Sequence, residues 1–261
     1  MKRIGILGFG VMGEAFAVGI RRKMPEVPVT AFDIKHDKVE KASKTLGLDA
    51  ARSAAEVFAA DVTLLCVKPQ DFSVVAAEVR GASRGRKVIS ILAGKRLQTI
   101  ADAFGTEQVA RFMPNISALK GTSLVGISFH AEAQEQTRQD ALVVAESVGK
   151  PFLIPEKLMS AMTGVSGSGL AYVLAFVHAM SLGGVAAGFD YDTALAIAVA
   201  GLESAASLLK DGAHPEEMAS RITSAGGTTI QGVRALEKGG FTAAVMEAVE
   251  AAARRASEME G

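Results

Sequence analysis

Six residues, Gly8-Phe9-Gly10-Val11-Met12-Gly13, constrain this chain more than any other stretch. Lys2 to Leu7, just before them, is largely apolar and reads as a buried parallel strand. Ala15, Phe16, Val18 and Gly19 follow at spacings that suit a helix. A strand that must turn into a helix through three glycines has few options. Gly8 permits the tight turn, Gly10 lets backbone approach a ligand, and Gly13 lets the helix pack on the strand. The helix start then offers free N–H groups and partial positive charge to phosphates. Alone, the G-x-G-x-x-G pattern is weak. Here a second strand, Val29-Thr30-Ala31-Phe32, leads into Asp33, 20 residues after Gly13, where a carboxylate meets an adenosine ribose hydroxyl. Together these features specify a dinucleotide site.

Composition narrows the partners. The 261 residues are 49% hydrophobic, enough for one large domain or two ordinary ones. The net charge of zero argues against nucleic acid or an anionic membrane as a partner. The single cysteine, Cys66, lies in the apolar run Val62-Thr63-Leu64-Leu65-Cys66-Val67 and reads as a core thiol. No apolar signal region precedes the first strand, so the cytoplasm is the expected compartment. The histidines His36, His130, His178 and His214 make no metal-ligand spacing, and no metal is expected. His178 reads as a satisfied buried histidine. No G-x-S-x-G nucleophile elbow occurs, so the hard chemistry belongs to the cofactor.

Through residue 155 strands alternate with helices. Asp37 with Glu40, and Ser53 with Glu56, read as helix starts, the first helix ending at Gly47. Strands are expected at 62–67, 87–91, 109–112, 124–128 and 151–154, with helices at 97–104 and 132–148 and another from Asp71 to about Arg80. This alternation predicts a mostly parallel sheet covered on both faces. Ligands of such sheets bind outside the carboxyl ends of the strands. The loops there are Gly8–Gly13, Val67-Lys68-Pro69, Ala93-Gly94 and Met113-Pro114-Asn115, all expected to face one crevice.

Past Pro155 the strands stop. Segments 159–187, 192–210, 215–223, 228–238 and 242–258 read as helices, the last capped by Thr242. Two domains are expected, 1–155 and 156–261. Leu158 to Phe189 contains no Asp, Glu, Lys or Arg. Its apolar core, Leu170 to Leu182, is too short to span a bilayer as a helix, so burial in a subunit interface is the expectation.

A second informative stretch is Ile222-Thr223-Ser224-Ala225-Gly226-Gly227-Thr228-Thr229-Ile230-Gln231-Gly232. Free N–H groups at a glycine turn and helix start make an anion pocket, and the hydroxyls of Ser224, Thr228 and Thr229 add donors. Helix capping by Ser and Thr is the simpler alternative. A carboxylate is the natural small anion.

Gly226-Gly227-Thr228-Thr229, after Ile222-Thr223-Ser224 and before Gly232 and Leu236-Glu237, resembles the signature of the pyrroline-5-carboxylate reductases. Val67-Lys68-Pro69-Gln70, Arg111-Phe112-Met113-Pro114-Asn115 and Thr163-Gly164-Val165-Ser166-Gly167-Ser168-Gly169 are similar to that family's motifs, in its order. The resemblance implies an N-terminal Rossmann domain and a C-terminal helical domain that interlocks into a homodimer, often five dimers in a ring. It implies reduction of L-1-pyrroline-5-carboxylate to L-proline, the last step of proline biosynthesis, by hydride transfer from NAD(P)H to the cyclic imine. Carried over, the backbone around Gly226, Gly227 and Thr228 holds the carboxylate, with Ser224 beside it. Thr229 donates to the ring nitrogen, and Glu156 matches a substrate-site acid. Gly8, Phe9, Gly10, Val11, Met12, Gly13, Asp33, Val67, Lys68, Pro69, Ala93, Gly94 and Asn115 bind the cofactor.

Two positions depart from the family, which usually has proline where this chain has Leu170 and Ala225. They leave open a reductase of a different cyclic imino acid. A non-catalytic dinucleotide-binding sensor is the remaining alternative. Asp33 accepts from a free ribose hydroxyl and repels a 2′-phosphate, which favours NADH, while Lys35, His36 and Lys38 offset that repulsion.

Overall fold

A computed structural model describes residues 1–260. Its eight strands are β1 Ile4–Leu7, β2 Val29–Phe32, β3 Asp49–Ala50, β4 Val62–Leu65, β5 Lys87–Ser90, β6 Val109–Met113, β7 Ser123–Phe129 and β8 Gly149–Leu153. They form one sheet in the order β3-β2-β1-β4-β5-β6-β7-β8. Every pairing is parallel except β6 with β7. That exception has a local cause. Only Pro114–Thr122 joins the two strands, and this span holds one short helical turn, too little chain for a crossover. The sheet order reverses at β1, with β2 on one side and β4 on the other, so the crevice opens at the carboxyl ends of these strands.

Helices α1 Val11–Lys23, α2 His36–Leu46, α3 Ala54–Val57, α4 Phe72–Ser83, α5 Leu97–Phe104 and α6 Glu135–Glu146 join the strands. Two apolar clusters cover the two faces. Phe16, Ile20, Phe112, Val144 and Val148 belong to one, and Phe58, Val79, Leu92, Ile100 and Phe104 to the other. Each such side chain, once buried, contributes about 1.5–3 kcal/mol relative to exposure. Helix α1 lies unusually close to the sheet. A Cβ on Gly13 would stand 2.2 Å from the Gly8 carbonyl oxygen, so only glycine fits.

The expected helix starts need correction. Helix α2 begins at His36, ahead of Asp37, and no side chain caps it. Ser53 precedes α3 without a side-chain bond, while Glu56 accepts the Arg52 amide at 2.7 Å. Asp71 closes a short turn, Pro69–Asp71, and does not cap α4. The edge strand β3, which pairs with Thr30 and Ala31, has no counterpart in the expected elements, because two residues carry no periodicity.

The remaining helices are α7 Met159–Met162, α8 Gly169–Ala186, α9 Tyr191–Leu209, α10 Pro215–Arg221, α11 Thr228–Lys238 and α12 Phe241–Glu258. A π-helical turn, Thr163–Gly167, follows α7. The chain divides into two compact units, one holding Met1–Gly167 and the residues from Ala252 onward, the other Ser168–Ala251. In the second unit α8 and α9 pack through Val177, Ser181, Ala194 and Ala198. Asp190 caps α9, accepting the Thr193 amide at 2.9 Å; the Thr193 hydroxyl and then this amide hold its carboxyl below the usual range. Thr242 lies inside α12 and donates to Glu237, so it is not the cap expected of it.

The length argument against a bilayer-spanning helix also fails. The helical run Glu156–Ala186 covers 31 residues and holds an 18-residue stretch of mean hydropathy 1.6, and Tyr191–Leu209 covers 19 with such a stretch at 1.4, so both are long and apolar enough to cross a membrane. His178 is exposed in the protomer rather than buried, with Nδ1 3.1 Å from the Tyr191 hydroxyl.

Candidate active site

The carboxyl edge of the sheet is built from backbone. Gly8 adopts φ +94, and a Cβ there would lie 2.7 Å from the carbonyl carbon of Cys66 and the amide of Val67. The turns after β1 and β4 therefore touch main chain to main chain. Around Gly10 nothing lies within 4 Å of a Cβ position, so the turn is open on that side. Gly10 precedes α1 without a side-chain cap, which leaves the first amides of the helix for a ligand. This cradle fits a pyrophosphate. Phe9 takes part through its backbone alone, since its ring is in the core. Val11 is exposed and Met12 half-buried at the rim.

Asp33 sits where the sequence places it, at the carboxyl end of β2. Its Oδ2 accepts the Phe9 amide at 2.6 Å and its Oδ1 accepts the Lys35 amide at 2.8 Å. The carboxylate thus anchors the glycine turn and fixes the start of α2. Val67, Lys68 and Pro69 follow β4, with Lys68 exposed. Ala93 and Gly94 follow β5, Gly94 at φ +72. Cys66 neighbours Gly8, and desolvation pushes its thiol up to about 12, so it carries no nucleophilic role at neutral pH.

Asn115 is held within the protein. Its side chain is buried, accepts from the Ser117 hydroxyl at 2.6 Å, and donates to Ser166 Oγ at 3.1 Å. Those bonds hold the π-helical turn, and the amide group is committed within the protein. Glu156 is likewise engaged. Its Oε1 accepts the Leu97 amide at 2.5 Å and lies 3.4 Å from Arg111 Nη1. Arg111, read from the sequence only as part of the Arg111–Asn115 motif and given no role there, is a lone arginine in the apolar strand Val-Ala-Arg-Phe-Met.

Gly8–Gly13, Asp33, Val67–Pro69, Ala93–Gly94 and Glu156 lie in the first unit; Ser224–Thr229 lies in the second. There Gly226 adopts φ +70 and the Gly227 amide donates to the Ser224 carbonyl at 3.1 Å. Gly227 precedes α11 without a side-chain cap. The alternative of simple capping by Ser224, Thr228 or Thr229 therefore falls, and the first amides of α11 are free to meet an anion. No group of three or more His, Cys, Asp or Glu able to hold a metal occurs among the described residues.

Comparison with known proteins meets this geometry over the whole chain. A protein named pyrroline-5-carboxylate reductase from Methanosarcina acetivorans is 37% identical, with 99% of this chain and 98% of that protein covered. One from Synechocystis is 36% identical, with 98% of each covered. The chain belongs to the pyrroline-5-carboxylate reductase family. Residues 156–259 match the family model described as pyrroline-5-carboxylate reductase dimerisation, and residues 3–94 match one described as NADP oxidoreductase, coenzyme F420-dependent. A crystal structure of a Plasmodium falciparum pyrroline carboxylate reductase with NADP bound superposes with a TM-score of 0.87 at 25% identity, covering 99% of this chain and 98% of that one. The reductase-family dimerisation match spans both long apolar helices, α8 and α9.

Proposed function

We propose that this chain reduces L-1-pyrroline-5-carboxylate to L-proline with NAD(P)H, residues 1–155 binding the dinucleotide and residues 156–261 the substrate and a second copy of the chain. One observation carries the reading: the uncapped start of α11 behind Gly226-Gly227, with three hydroxyl residues around it, in a chain of this family with an open dinucleotide turn.

The amides of Thr228 and Thr229, behind the Gly226-Gly227 turn, are the natural cradle for the substrate carboxylate, with the partial charge of the helix start behind them. Thr229 donates its hydroxyl to the ring nitrogen and relays a proton to it, directly or through water. The nicotinamide supplies the hydride when bound. Once that nitrogen carries the proton, the imine carbon is electrophilic, so the protein's remaining task is to hold the ring in place and exclude alternatives. Gly8–Gly13 carries the pyrophosphate, and Asp33 faces the adenosine ribose.

NADH is the favoured donor in this reading, because Asp33 places a carboxylate where a 2′-phosphate would stand. The exposed apolar side chains of α8 and α9 support self-association, with a ring of five dimers as the proposed assembly. They also support burial in that interface rather than a bilayer. The cytoplasm is the proposed compartment, consistent with a single cysteine and no disulfide within the chain.

Thr229→Ala tests the substrate half. Turnover should fall on the order of 100-fold, the usual contribution of a positioned acid, while the dissociation constant for NADH stays unchanged. Unchanged turnover would remove Thr229 from the mechanism.

A further inference from the structure

Arg111 is 1% exposed in the middle of the sheet, on the same face as Val109 of the Phe58–Phe104 cluster. A lone guanidinium buried there would be very costly. Two carboxylates neutralise it: Glu260 Oε1 lies 2.5 Å from Nη2 and Glu156 Oε1 lies 3.4 Å from Nη1. Each carboxylate has a second contact. Glu156 accepts the amide of Leu97, the first residue of α5. Glu260 Oε2 stands 3.8 Å from Arg96 Nε. The chain leading to Glu260 also presses on this turn, since the Met259 carbonyl oxygen lies 2.5 Å from where a Cβ on Gly94 would be.

All of these contacts converge on residues 94–97, the turn that leaves the carboxyl end of β5. In the sheet order β5 lies beyond β4, on the side away from β2 and Asp33. A dinucleotide laid across the switch point with its adenosine at Asp33 brings its nicotinamide toward that side. Among the described residues Arg111 Nε has no partner, so the cluster there carries an unsatisfied donor that an apolar residue in β6 would not. Stability alone is a poor reason for such a group, whereas fixing one geometry is a role buried ion clusters do fill.

We propose that Arg111 is a positioning residue for hydride transfer. Through Glu156 and Glu260 it holds the Ala93–Leu97 turn, and with it the nicotinamide half of the cofactor, in one place. The inference rests on the dinucleotide site proposed above, and the test separates the two. ADP-ribose reaches Gly8–Gly13 and Asp33 but has no nicotinamide. Its affinity and the steady-state constants for NADH are to be measured in the full chain for wild type, Glu260→Gln and Arg111→Lys. Glu260→Gln should lower kcat/KM for NADH on the order of tenfold and leave ADP-ribose affinity unchanged. Arg111→Lys, which keeps the charge but loses the fork, should do the same. Glu260→Gln keeps the test open if Arg111→Lys does not fold. Wild-type constants in Glu260→Gln, or ADP-ribose affinity falling in step with NADH, would overturn the positioning role. Failure of the wild type to bind ADP-ribose would remove the dinucleotide site, and the positioning role with it.

Discussion

Asp33 holds a turn with both of its oxygens and still keeps acceptor capacity. Its two oxygens take the amides of Phe9 and Lys35, which fixes the glycine turn against β2. A carboxylate has about four acceptor sites, so capacity remains for a ribose hydroxyl. In the proposed site, Asp33→Ser removes the charge facing the 2′ position. The ratio of kcat/KM for NADPH to that for NADH should rise about tenfold, equivalent to 1.4 kcal/mol. An unchanged ratio would mean that the carboxylate serves the glycine turn alone. Asp33 was legible because the motif fixes its distance from Gly13. The surroundings of Asn115 were less legible. Its place at a strand end suggested a ligand, yet its partner Ser166 is 51 residues away in sequence, a contact no local pattern encodes.

At the scale of elements, the strands and long helices were readable because burial imposes a period. The helix ends were not. Side-chain capping was expected from Asp37, Ser53, Asp71 and Thr242, and none of them does it. Acceptors came instead from other residues, Asp33 on the Lys35 amide ahead of α2, Glu56 on the Arg52 amide ahead of α3 and, most plainly, Glu156 at the start of α5, 59 residues from Leu97. A free amide takes whichever acceptor the fold brings near it, and sequence distance does not restrict that choice. The junction of β1 and α1 is the exception, since its glycines are set by the chain itself. Gly13→Ala would force a methyl into the Gly8 carbonyl, 2.2 Å from the new carbon. The cost should be about 1–3 kcal/mol or more, read as a lower denaturation midpoint with an unchanged slope. A midpoint equal to wild type would show that α1 is free to shift outward.

For the whole molecule, the unresolved question in the sequence was where two long apolar helices go. Their length does not answer it, because both are long enough to cross a membrane. Their place within the residues matched by the dimerisation model supports self-association. Leu174 on α8 is 69% exposed and Ile197 on α9 is 52% exposed in the single protomer, far more than an isolated water-soluble unit gains from. The double variant Leu174→Glu with Ile197→Glu should therefore run at a lower mass by light scattering than wild type. An unchanged mass would place the interface elsewhere.

The central claim is a reaction, and it is tested most directly by the loss of NADH and NADPH absorbance when pyrroline-5-carboxylate is added to the purified protein. Rapid, saturable oxidation with proline as the product is the expected result, faster with NADH. No oxidation of either cofactor would contradict the account and turn attention to other cyclic imines, beginning with Leu170 and Ala225.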